Sequence, residues 1–170
     1  MDPNAYGETR NPLSTNDASA GWQRGRHTLS VGGQFWWERI SDIYPGYGRD
    51  TRQTFRNSGV YVQDEWRVAP RLVLLGGARF DKSNVLDHWV TSPRGNVRIG
   101  LTNAWNLRIG FSTGFRPPQI FDEDLHIAAV NGEAMYIRLA TGLKEESSRS
   151  FTSALDYTGR VRGGAFQAGA

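Results

Sequence analysis

Side chains along this chain alternate apolar and polar in six stretches, and the segments that join them run long, short, long, short, long, short. A strand sends successive side chains to opposite faces, so each stretch reads as a strand with one greasy and one wet face. In the first, Leu29, Val31, Gly33, Phe35 and Trp37 oppose Thr28, Ser30, Gln34 and Glu38. After a polar interval from Ile40 to Gln53, Val60, Val62, Trp66 and Val68 oppose Tyr61, Gln63, Glu65 and Arg67. Ala69 and Pro70 make a short turn into the third, where Leu72, Leu74, Ala78 and Phe80 oppose Arg79 and Asp81. A polar and aromatic loop around Asn84, His88 and Trp89 leads to the fourth, with Val97, Ile99 and Leu101 against Arg94, Asn96 and Arg98. Thr102 to Ala104 turn into the fifth, where Leu107, Ile109 and Phe111 oppose Arg108, Ser112 and Arg116. The longest connection, from Pro117 to about Ser147, precedes the sixth, in which Phe151, Leu155 and Tyr157 oppose Thr152 and Asp156. A turn is expected at Thr158 and Gly159, and a seventh strand near Arg160.

Two architectures share this periodicity: a soluble antiparallel sheet with one wet face, and a transmembrane β-barrel. Only the barrel explains the rhythm, because its turns on the inner side of the membrane are tight and its outward loops are extended. The aromatic residues agree. Trp66, Trp105 and Tyr157 fall beside the short turns, whereas Trp37, Phe80 and Phe115 fall where strands enter long loops, as two membrane interfaces would select. Trp36, Val73 and Leu75 break the pattern on the polar side and Asp64 breaks it on the apolar side, near a turn. The fold expected is therefore all-β: an antiparallel, up-and-down transmembrane β-barrel segment of six to seven strands from a larger barrel.

Composition fits this architecture. With 38% hydrophobic residues, the chain offers no run of about 20 apolar residues for a helical span. It has no cysteine, which removes disulfides and thiolate metal sites. The net charge of +3 is carried mostly by arginine, with Lys82 and Lys144 the only lysines. These arginines stand singly on strand rungs near acids such as Glu65 and Asp81, not in a basic block, so no nucleic-acid partner is expected.

No basic and apolar leader follows Met1, and six or seven strands fall short of the smallest common closed barrel, about eight. The expectation is a fragment: residues 1–21 as the end of an upstream loop, and residues 22–170 as strands, periplasmic turns and extracellular loops of one partial barrel domain.

Several segments carry a family resemblance. Gly59-Val60-Tyr61-Val62-Gln63-Asp64-Glu65-Trp66, the stretch from Arg71 to Asp81, Ser92-Pro93-Arg94 and Asn106-Leu107-Arg108 resemble successive barrel segments of TonB-dependent outer-membrane receptors. The most specific part is Gly110-Phe111-Ser112-Thr113-Gly114-Phe115-Arg116-Pro117-Pro118, followed by Leu143-Lys144-Glu145-Glu146. The resemblance runs from Gly25 to Tyr157, and Phe121-Asp122-Glu123-Asp124-Leu125-His126 is similar to a loop of Bacteroidetes-type receptors. It implies a barrel of about 22 strands filled by a plug, located in the outer membrane of a Gram-negative bacterium. It also implies import of a scarce large ligand such as a ferric siderophore, haem or cobalamin, with energy delivered by the TonB complex. No covalent chemistry and no resident cofactor are implied. The plug, the TonB-contacting box and the closing strand are not recognisable in these residues, so the TonB complex would be met through a missing N-terminal part.

The loops hold the candidate ligand contacts. Tyr44, Tyr47, Arg49 and Arg52 in the first outer interval, with Trp89, Arg116 and Phe121 in later ones, combine aromatic platforms with fixed cations suited to a small anionic molecule or metal chelate. Such loops are also commonly polar and aromatic for solubility alone. Asp122, Glu123, Asp124 and His126 gather carboxylate and imidazole ligands sufficient for a divalent cation, although the glycine and distal glutamate of an EF-hand loop are not in place. The same acids could equally be a solvated face or partners of Arg116 and Arg138. Two alternatives remain open at this point. An outer-membrane barrel hydrolase would use a rim Asp with His126, but no Gly-x-Ser-x-Gly elbow or HExxH motif accompanies them. A passive porin-like channel would lack a plug.

Overall fold

The computed structural model describes residues 7–118, 129–130, 133–134, 142–161 and 164–169. Its strands are β1 (Glu8–Arg10), β2 (Leu13–Arg24), β3 (His27–Tyr44), β4 (Arg49–Ala69), β5 (Leu72–Ser83), β6 (Val90–Gly100), β7 (Trp105–Arg116), a two-residue pair β8 (Ala129–Val130) and β9 (Glu133–Ala134), β10 (Glu146–Val161) and β11 (Gly164–Gly169). One 3-10 turn, Pro45–Tyr47, joins β3 to β4. All pairings are antiparallel and the long strands pair in chain order, β3-β4-β5-β6-β7-β10-β11, with β1 and β2 lying in succession along the free edge of β3. This is an up-and-down meander. Among the described residues β2 and β11 do not meet, so the sheet is an unclosed wall.

The register carries the apolar row of each strand into that of the next. Val31 stands opposite Val62, Val62 opposite Ala78 and Ala78 opposite Pro93. Leu74 faces Val97, Val97 faces Ile109, and Phe111 faces Phe151, whose ring centroid lies 4.9 Å away. No helix or second sheet among the described residues covers this face, and Phe151 is 79% exposed. A continuous uncovered apolar band is a lipid-facing surface.

Aromatic side chains mark its ends. Trp66 stacks on His27 at 5.5 Å, and Trp105 packs on Tyr157 at 4.8 Å, all beside short turns. Trp105 to Phe115 is about 33 Å of strand at roughly 3.3 Å per residue. Tilted by about 45°, that length gives the roughly 25 Å apolar band of outer-membrane barrels.

Three sequence expectations are corrected. Residues 1–21 are not an upstream loop where described: β2 places Ala18, Ala20 and Trp22 opposite Gly33, Val31 and Leu29. Alanine and glycine carry the two-residue period too weakly to announce a strand. The β2–β3 turn is made by Gly25 and Arg26, with Gly25 at φ 60, a conformation that favours glycine. With β2 the wall has eight strands of six or more residues, against the six or seven expected.

The interval from Ile40 to Gln53 is likewise strand. β3 has 18 residues and β4 has 21, whereas a crossing needs about 9–11, so this hairpin rises well beyond the membrane. Its inward face closes a small core of Ile40, Phe55 and Leu86, with Trp36 packed edge-on against Phe55 at 5.6 Å. Trp36, an exception in the sequence pattern, has its partner there. Thr158 and Gly159 do not turn; they pair with Gln167 and Phe166 as β10 continues to Val161.

Arginine at Val97, on the lipid row near mid-strand, should destabilise the complete barrel by about 2–4 kcal/mol, whereas arginine at the inward Asn96 should be nearly neutral. Urea titration of the intact receptor folded into vesicles measures both, and equal losses would show that the faces are misassigned.

Candidate functional site

The inward face is polar, and several of its charges are paired. Arg79 donates from Nε and Nη2 to Asp81 at 2.7 and 2.8 Å, and its Nη2 also reaches Gln34 Oε1 at 3.0 Å. Asn57 Nδ2 donates to Asp81 Oδ1 at 2.8 Å, so this carboxylate, 1% exposed, is surrounded by donors. Arg108 makes a bidentate pair with Asp156 at 2.7 and 2.8 Å, Arg94 bonds to Gln63, and Arg67 lies 3.8 Å from Glu65. Gly59 makes room for the central pair: a Cβ there would stand 2.2 Å from Arg79 Nη2. Tyr61, Gln63, Arg79, Arg94 and Ser112 line a shallow basin of about 540 Å³ on this face. The arrangement offers a wall of hydrogen-bonding donors and acceptors.

Above the band, the β5–β6 loop is fastened to the β3–β4 hairpin. Asn84 substitutes its amide for backbone: Oδ1 accepts from Arg56 N at 2.7 Å and Nδ2 donates to Thr54 O at 2.8 Å. Lys82 Nζ donates to Leu86 O at 2.9 Å. His88 then links this loop to the base of the longest one. Its Nδ1 lies 2.7 Å from Asp87 Oδ1 and its Nε2 lies 3.2 Å from Glu145 Oε1. Hydrogen bonds to Asp87 and Glu145 raise the His88 pKa above its ordinary value. Asp87 is lowered by the His88 bond, and Glu145 is lowered by its own backbone N–H and then by His88. Val85, His88, Pro118, Leu143 and Glu145 border an open pocket of about 630 Å³ between the two loops.

The sequence-predicted ligand contacts do not converge as one cluster. Tyr44 is on the inward face of the β3–β4 hairpin, close against Gly7. Arg52 belongs to the opposite, outward face, opposite Ser41, and is held by Asp50 at 2.8 and 3.0 Å. Tyr47 ends the 3-10 turn and Arg49 begins β4. Trp89 is exposed in the β5–β6 loop, and Arg116 ends β7 opposite Glu146. Phe121 and the proposed metal ligands Asp122, Glu123, Asp124 and His126 lie outside the described residues. Sequence reasoning missed Asn84 and the His88–Glu145 link, the latter because its partners are separated by 57 positions.

Meander, girdles and paired inner face define the wall of a transmembrane outer-membrane β-barrel. Residues 2–170 match the family described as TonB dependent receptor-like, beta-barrel, and the chain belongs to that family. It is an outer-membrane protein of Gram-negative bacteria, in a family of receptors and not of enzymes. Among solved structures, the siderophore receptor PirA from Pseudomonas aeruginosa matches with TM-score 0.71 at 17% identity, over 96% of this chain and 31% of that one. A mutant ferric enterobactin receptor, PfeA from Pseudomonas aeruginosa, in complex with enterobactin matches with TM-score 0.68 at 18% identity, over 92% and 26%. The copper transporter OprC matches with TM-score 0.61 at 16% identity, over 90% and 28%. At these identities the likeness is one of fold, and the chain spans about a quarter to a third of each structure.

Arg79→Met strands the buried Asp81 carboxylate and should cost about 3 kcal/mol in the complete barrel. Adding Asp81→Asn should recover much of that loss; denaturant midpoints of the two variants check it.

The His88 clamp sets a second expectation. Because the His88 pKa is raised from 6.5, its contribution is complete below that value and is lost as pH rises through the raised value. The lowered carboxylates preserve it on the acid side until Asp87 and Glu145 protonate, below their ordinary 3.8 and 4.5. The separation of spin labels on the two loops should therefore be narrowly distributed at pH 5.5 and broader at pH 8.5. In His88→Asn it should be independent of pH.

Proposed function

We propose that the chain is part of the barrel of an active importer that takes up a metal chelate of the siderophore class with energy supplied through TonB. The observation that carries this reading is the inner wall itself: a lipid-facing band backed by arginines neutralised in place, Arg79 by Asp81 and Arg108 by Asp156. Such a wall encloses water and presents hydrogen-bond donors and acceptors to a polar cargo without trapping it. The fold likeness to siderophore receptors supports iron chelates ahead of haem or cobalamin, and membership of a TonB-dependent family supports energised transport over passive diffusion. A plug and the TonB-contacting segment would be supplied by other parts of the protein.

In this reading the outer loops meet the ligand first. Tyr44 on the inward face and Arg116 at the mouth of β7 are the leading contacts, with Tyr47, Trp89, Phe121 and the β4 residues Arg49 and Arg52 as the further candidates from the sequence. Asp122, Glu123, Asp124 and His126 would add a secondary cation site. Uptake of radiolabelled ferric catecholate by cells carrying the complete receptor as their sole catecholate receptor should be saturable and abolished by a protonophore. Arg116→Ala should lower apparent affinity by about tenfold, the loss of one charge-assisted hydrogen bond. Uptake that persists without the proton gradient would overturn the energised reading in favour of a passive channel.

A further inference from the structure

The lipid row should carry no charge, yet at its short-turn end β2, β3 and β4 bring Arg24, His27 and Asp64 onto that face. Arg24 pairs in register with His27, His27 with Trp66, and Asp64 with Leu29. With Arg26 of the turn and the flanking indoles of Trp22 and Trp66, they line an open pocket of about 640 Å³. Trp22 is 62% exposed and Trp66 43%, so the pocket opens outward from the wall, away from the inner basin.

The charges in this pocket are unevenly spent. His27 Nδ1 lies 2.7 Å from Asp64 Oδ2, and the imidazole is stacked on Trp66 with an interplanar angle of 11°. Asp64 is thereby committed to orienting His27, and its other oxygen is enclosed with no hydrogen-bond partner. Arg26 uses Nη1 on Val68 O at 3.1 Å and keeps its remaining N–H groups. The side chain of Arg24 makes no hydrogen bond or ion pair among the described residues. Two guanidinium groups and the Nε2 edge of His27 thus converge on a surface whose one carboxylate is already occupied.

We infer that this pocket binds the headgroup of an anionic glycerophospholipid of the periplasmic leaflet, with phosphatidylglycerol as the simplest example. Short turns of outer-membrane barrels face the periplasm, which places the pocket at the level of the inner-leaflet phosphates. Arginine receives a phosphate through paired N–H donors, and indoles favour this depth of the bilayer. Leu29, Val31 and Val62 continue the same face toward mid-membrane and provide the track for the acyl chains. Charge decides between lipids. A zwitterionic headgroup brings an ammonium for which no open carboxylate oxygen is left, since Asp64 Oδ2 is held by His27 and Oδ1 is enclosed, whereas an anionic one brings only groups that the cations accept.

The test uses the complete receptor, extracted in a mild detergent and offered equal amounts of phosphatidylglycerol and phosphatidylethanolamine, with retained lipid counted by native mass spectrometry. Wild type should retain phosphatidylglycerol in preference. Arg24→Gln combined with Arg26→Gln should lower that retention about tenfold and leave phosphatidylethanolamine unchanged. Arg56→Gln, a cation on the same face at the outer end of the band, should behave as wild type. Folding is verified by heat-modifiable gel mobility. Should the double variant not fold, Arg24→Gln alone serves, since that side chain bonds to nothing among the described residues, and it should still lower retention several-fold. Equal retention of both lipids by wild type, or undiminished phosphatidylglycerol in a folded variant, would overturn the inference.

Discussion

Backbone pairing inside hydrocarbon is the constraint on which everything else in this wall depends. Water is not present there to satisfy a free N–H or C=O, and each unpaired group costs several kcal/mol. The β3–β4 and β7–β10 ladders are accordingly unbroken across the band, from Leu29 opposite Asp64 up to Trp37 opposite Arg56 and from Leu107 opposite Leu155 up to Phe115 opposite Ser147. The one register shift between β4 and β5 falls between Arg67 and Ala69, beside a turn that water reaches. The positive-φ glycines Gly25, Gly48 and Gly142 are likewise confined to connections. Because the side-chain period is two, a slip of one residue would move Arg79 or Arg108 into lipid, so pairing and face selection enforce the same register.

The inner face follows from that register. Once Arg79, Arg94, Arg98 and Arg108 are committed to the inside, each must find a partner or stay in water. Arg79 finds Asp81 two residues along its own strand, which places both on one face, while Arg108 crosses to Asp156 on β10. Gly59 on β4 completes the first of these solutions by leaving the space a side chain would fill. Asp64 solves the opposite problem on the lipid side, and it does so at the band's edge with His27, where burying a charge costs least.

Faces and girdles were legible because alternation is local: Leu107, Ile109 and Phe111 declare their side without knowledge of any neighbour. Strand length was not. Ser41, Asp50 and Arg52 look like loop because the hairpin they extend stands in water on its outward face, and only the burial of Ile40, Asp42, Phe55 and Leu86 shows that its inward face is packed. Gly159 reads as a turn by type but is a strand position whose missing Cβ leaves room for the Tyr157 ring. The site fared similarly. Tyr44 and Arg52 were grouped by proximity in sequence, and the register separates them to opposite faces. The acidic segment around Asp124 lies outside the described residues.

The outer hairpin explains how a receptor of this kind can hold a mouth in shape without a covering domain. A lone two-stranded ribbon in water is marginal, yet this one carries buried Ile40 and Phe55, the T-shaped Trp36 contact and the Asn84 amide that ties the neighbouring loop to Thr54 and Arg56. Rigidity is therefore built from strands that continue the wall. His88 ties the loop beside this hairpin to the start of β10, since it is fixed at Asp87 and reaches Glu145. A change in the charge of one imidazole thus acts on the separation of two loops, because the carboxylate it reaches is distant in sequence and adjacent in the fold.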